Sequence, residues 1–128
     1  MGTWEFSKRD LNAGKIVTPA WYRMKIEEVT EKPSKDQQST NWVTVGTIIA
    51  NADDGSTEFA EVPITWNFNS KALGFARGFL EALGITAELG KRYDPTAAVG
   101  QVLDVFVENG TYDGRIVNRV EHKYRKAQ

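Results

Sequence analysis

Trp21, Arg23 and Lys25 alternate along the chain with Tyr22, Met24 and Ile26. In a strand, that spacing puts an indole beside two cations on one face and an apolar set on the other. Cations track phosphates, and flat rings stack on unpaired bases, so this is the chemistry that a single-stranded nucleic acid requires. Five further residues are candidates for the same work. Trp42 opens a run rich in Val, Ile and Thr. Tyr112 and Arg115 flank Asp113-Gly114, and Arg119 and Lys123 follow in a basic run that also holds Arg125 and Lys126. Each has a purely structural alternative. Trp21 packs under Trp4 or Phe6, Trp42 plugs an edge of the core, Tyr112 and Arg115 pack a turn, and the cations dress a solvated strand edge.

Other chemistry finds less support. Cysteine is absent, which removes disulfides, thiol nucleophiles and thiolate metal sites. The one histidine, His122, has no partner at ligand spacing and reads as a surface residue. No nucleophile-elbow, zinc-protease or phosphate-loop motif occurs. Glu27 and Glu28 are neighbours on a strand and face apart. No catalysis, cofactor or metal is expected.

The elements that position these residues read mainly as strands. Ala20 to Val29 alternates and forms the first. Lys32 to Asn41 is a polar loop, Trp42 to Ala50 the second strand, and Asp54-Gly55 a tight turn. Phe59 to Phe68 is the third, with Val62, Ile64, Trp66 and Phe68 on one face; Pro63 confines it to an edge or a bulge. Leu73, Ala76, Phe79, Leu80 and Leu83 then recur at helical spacing, with Ser70 as N-cap and Gly84 as the stop. Leu103, Val105 and Val107 share one face of a fourth strand over Gln101 to Glu108. Asn109-Gly110 and Asp113-Gly114 bracket a hairpin, and the fifth strand runs from Arg115 to about Tyr124. Five strands with a helix between the third and fourth is the element order of the five-stranded OB barrel, and an open α+β sandwich shares it.

The bulk properties fit one domain. The chain has 128 residues, 41% of them hydrophobic, and a net charge of −1. Residues 1–13 read as an N-terminal arm packing on a barrel formed by 14–128. No apolar run reaches the ~20 residues of a membrane span, and no signal-peptide core precedes Phe6. The expected location is cytoplasmic.

Three stretches also carry a family resemblance: TPAWYRMKIEEV at 18–29, ALGFARGFLEALGI at 72–85, and VGQVLDVFVENGTYDGRIVNRVEHKY at 99–124. Together they resemble phage-encoded, single-stranded-DNA-binding-like proteins of the OB fold. Phe79-Leu80-Glu81-Ala82-Leu83-Gly84, Tyr112-Asp113-Gly114-Arg115 and Asn118-Arg119-Val120 fit that family's helix, turn and last-strand slots. The resemblance implies sequence-tolerant binding of single-stranded DNA in phage replication or recombination, in the host cytoplasm, by a monomer or homodimer. In OB folds the face of strands two and three, and the loops joining strands 1–2 and 4–5, do the binding. The other reading is a non-catalytic OB module that docks a phage or host recombinase, helicase or primase. The basic end, Arg125-Lys126-Ala127-Gln128, lacks the acidic tip by which bacterial single-strand binders recruit partners.

Overall fold

The computed structural model describes residues 2–128. Five strands form one antiparallel sheet: β1 (Ala20–Pro33), β2 (Thr40–Asn51), β3 (Pro63–Asn69), β4 (Val102–Tyr112) and β5 (Arg115–Lys126). Their spatial order is β3-β2-β1-β4-β5. Two helices accompany them, α1 (Lys8–Asn12) and α2 (Gly74–Ala82), with a 3₁₀ turn at Pro95–Ala98. Among the described residues no helix is long and apolar enough to cross a membrane.

Alternation decides which side of the sheet is the core. Tyr22, Met24 and Ile26 of β1, Ile64, Trp66 and Phe68 of β3, and Leu103, Val105 and Val107 of β4 are all buried on the inner face. Phe79 and Ala82 of α2 cover one end of it. Gly46 of β2 sits where the packing is tightest. A Cβ there would lie 3.0 Å from Met24 Sδ and 3.1 Å from the Trp66 ring, so only glycine leaves room for both. In β1, Ile26 pairs with Gly46 but Glu28 with Val45. Glu27 is therefore an extra residue, a bulge that brings Val29 back to the inner side.

The sheet is not closed into a barrel. β3 and β5 are its two edges and share no backbone ladder. Side chains span the gap instead. Phe68 of β3 meets His122 at 5.2 Å between ring centroids and Tyr124 at 6.1 Å, and Trp66 meets Tyr124 at 6.5 Å. The two edges meet through these rings and not through a backbone ladder. β5 also departs from regular strand geometry here. Val107 pairs with Val120 but Val105 with Tyr124, and His122 adopts a left-handed φ of 57°.

Several boundaries differ from the sequence expectation. β3 begins at Pro63, not Phe59, because Phe59 to Glu61 form a turn. Pro63 has no N–H to give a ladder, and it stands first in an edge strand. Ser70 does not cap α2. Its Oγ accepts the Thr40 N–H at 2.9 Å, tying the start of β2 to the end of β3, and Leu73 takes the cap position without a side-chain bond. Gly84 does stop the helix. With φ 82° it lets Ile85 N–H reach Leu80 O and its own N–H reach Glu81 O, a Schellman ending. Asn109-Gly110 is not a turn; β4 runs on through it to Tyr112. The turn is Asp113-Gly114, with both residues at positive φ.

Candidate nucleic-acid interface

The outer face of β1, β4 and β5 carries the chemistry. Register pairs Trp21 with Phe106, Arg23 with Asp104, and Asp104 with Arg125. These side chains sit opposite the buried Tyr22, Met24, Leu103 and Val105 because neighbours on a strand face apart. Trp21 and Phe106 meet edge to face at 5.5 Å. The Arg125 guanidinium lies over the Trp21 ring at 4.4 Å, and Lys123 Nζ lies 5.3 Å from the Phe106 centroid. Two aromatic rings thus form a platform with a cation resting on each.

Asp104 organises the cations. Its side chain is 2% exposed. Arg23 Nε donates to Oδ1 at 3.2 Å, and Arg125 Nε donates to Oδ2 at 3.3 Å. Arg125 also donates to Asp53, and that bond, followed by Asp104, holds the guanidinium above its ordinary pKa. A carboxylate pinned between two guanidiniums fixes their planes, and each keeps donors to spare. Lys25 and Lys123 have no salt bridge among the described residues.

Farther along the same face the β4–β5 hairpin outruns β1, whose pairing with β4 ends at Ala20 and Val107. Glu108 pairs with Arg119, and Tyr112 with Arg115. Arg119 lies across Gly110, where any Cβ would come within 2.8 Å of the guanidinium. Tyr112, at the tip, is 76% exposed. It is six residues from Phe106, or about 20 Å at the usual rise per residue. Trp21, Arg23, Lys25 and Lys123 therefore form one cluster, and Tyr112, Arg115 and Arg119 a second, distal one.

Trp42 does not join them. It pairs with Phe68, half-buried on the inner face, and lines a cavity beside α2. It lies in β2 in phase with Thr44 and Gly46, whose side is the core. Trp21 does not pack under the arm either; its neighbours are Phe106 and Arg125. The arm itself leaves Trp4 89% and Phe6 60% exposed, so the expectation that residues 1–13 pack on the body fails for its aromatics.

The β2–β3 half of the sheet is chemically different. Neither strand contains Lys or Arg. Asn67 and Asn69 each donate to Asn41 Oδ1, at 3.1 and 2.7 Å. The face on which OB proteins are expected to bind thus presents amides here, and the cations lie on the other half.

Phe106, Asp104 and Arg125 were missed in the sequence. The signal for the first two was present, since inward Leu103, Val105 and Val107 oblige their neighbours to point outward. Arg125 was lost because the last strand seemed to end at Tyr124.

His122 is no plain surface residue. Its ring stacks on Phe75 of α2 at 4.7 Å and 21°, and its Nδ1 lies 2.8 Å from the Tyr124 hydroxyl. Burial pushes its pKa down, with Glu121 opposing, and burial pushes the Tyr124 phenol up. Among the described residues no three His, Asp or Glu side chains cluster as a metal site. No protein-family model matches the chain, and no curated protein matches it.

Proposed function

We propose that this chain binds single-stranded DNA with little regard to sequence, through the outer face of β1, β4 and β5, in phage replication or recombination. One observation carries the reading: the Trp21–Phe106 pair lies among Arg23, Lys25, Lys123 and Arg125 on a single open face. A base stacking on Trp21 displaces the Arg125 guanidinium from the ring. The displaced guanidinium then meets the phosphate next to that base, and Lys25 and Lys123 meet the neighbouring phosphates. Stacking is worth about 1–3 kcal/mol per base and tolerates any base, since every base has a π-face. Tyr112, with Arg115 and Arg119, offers a second stacking point along the hairpin. The role is binding without catalysis.

The strand order also supports an OB arrangement, with α2 after the third strand and β3 facing β5 across a ring-filled seam. In this reading the seam takes the place of the closing ladder.

Titration of labelled poly-dT and of a matched duplex at several salt concentrations tests the proposal. Three phosphate contacts, from Arg125, Lys25 and Lys123, predict a log–log salt slope of about −2 for single strands. Equal affinity for duplex, or no binding to either at low salt, overturns it.

A further inference from the structure

Among the described residues, a lined cavity and an exposed aromatic segment both stand open. The first is a cavity of about 770 Å³ between the inner face of the sheet and the segment from α2 to the 3₁₀ turn. Trp42 and Phe68 line its sheet side, Leu80 and Leu83 its helix side, and Tyr93 its far wall. The charged residues of its lining are Arg77, Lys91 and Arg92 against a single carboxylate, Asp94. Arg77 and Lys91 pair only with the exposed Glu81 and Glu88, and Arg92 has no salt bridge among the described residues.

The second surface is the segment before α1. Trp4 and Phe6 meet edge to face at 6.4 Å and are otherwise open to water, with Glu5 between them. In an extended segment, residues two apart point the same way, so both rings can enter one cavity while Glu5 stays at its mouth.

We propose that Trp4-Glu5-Phe6 of one copy inserts into the α2 cavity of a second copy, and that reciprocal exchange closes a dimer. Charge fits, because Glu5, flanked by two rings, would meet Arg92, the rim cation with no salt bridge among the described residues. Area fits as well. Four rings at about 150–250 Å² each, with as much again from the cavities, amount to about 1,200–2,000 Å², the size of a stable interface.

The arm's placement favours a second copy over the chain's own cavity. Lys8, Leu11 and Asn12 of α1 share a shallow pocket with Thr57, Ala60 and Glu61, none of which lines the α2 cavity. Held there, the arm leaves Trp4 89% and Phe6 60% exposed and outside its own cavity.

Sedimentation velocity of the full chain without nucleic acid, over a range of concentrations, tests this independently of DNA binding. The expected result is a concentration-dependent dimer that Trp4→Ala/Phe6→Ala abolishes without changing circular dichroism or Tm. Glu5→Arg should raise the dimer Kd about tenfold or more, since like charges at an interface are costly. Arg92→Glu added to Glu5→Arg should restore much of the loss, which assigns the contact to the cavity rim. A chain that stays monomeric throughout overturns the proposal. So does a dimer that survives the double alanine variant, or a monomer whose arm resists proteolysis at every dilution, which would mean docking within one chain.

Discussion

The two faces of β1 share one backbone and differ in almost everything else. On the inner face, Tyr22, Met24 and Ile26 are fully buried in the core. On the outer face, Trp21 and Arg23 are half-exposed and Lys25 is open. The inner set is held by close packing, where each side chain touches fixed neighbours. The outer set is held by exchangeable contacts: a guanidinium on a ring, an ammonium on a ring, and two ion pairs to one carboxylate. Contacts of that second kind are weak singly and can be traded for a ligand's. A strand can therefore be rigid on one side and available on the other.

Substitutions on the two faces should separate stability from binding. Leu103→Ala, inside, should cost about 2–5 kcal/mol by urea titration, with poly-dT affinity of the remaining folded protein unchanged. Trp21→Ala should do the reverse. It should weaken single-strand binding by about 1–3 kcal/mol and lower stability by only about 0.5–1.5 kcal/mol, the worth of an aromatic pair. If Trp21→Ala instead unfolds the chain while leaving affinity intact, the outer face is structural and the contrast collapses.

Asp104→Asn sharpens the contrast, because Asp104 lies outside yet is buried. Losing its charge weakens two guanidinium bonds and should cost about 1–3 kcal/mol of stability. Affinity for single strands should rise, since Arg23 and Arg125 no longer share an anion. A fall in affinity would show that the guanidiniums must be held in place to bind.

The smallest effect should come from His122. Its folded pKa lies below the unfolded value of 6.5 because burial disfavours the charged ring. Between those two values the unfolded chain holds more protons. The stability contributed by neutral His122 is thus full above pH 6.5 and is lost as pH falls through the folded pKa. Tm should drop modestly over that window, and His122→Gln should flatten the drop. An equal drop in His122→Gln would place the sensitivity elsewhere.

Much of this was legible in the chain. Alternation in 20–26 and 102–107, helical spacing in 73–83 and the stop at Gly84 are local signals, and each corresponds to an element. What failed depended on partners distant in sequence. Trp42 is open to either reading in the sequence, a stacking ring or a plug at the core's edge, and its face is set by pairing with Phe68, which spacing alone does not reveal. Arg125 acquires its role only when β5 comes to lie beside β4, seventy residues or so from Asp53. The open seam between β3 and β5 likewise depends on rings meeting across the fold. The arm's aromatics suggested packing by composition, whereas exposure is a property of where the chain places them.

The irregularity in β5 has an arithmetic side. Two steps along β4, from Val105 to Val107, match four along β5, from Tyr124 to Val120. The surplus is even. An odd surplus would send Arg125 and Lys123 into the core and Tyr124 into solvent, erasing both the platform's cations and the ring that fills the seam. Evolution can therefore lengthen or shorten this strand only in pairs of residues without exchanging its two sides. Loss of Glu121 and His122 together would keep every later side chain on its present face, while loss of either one alone would invert the last four residues of the strand.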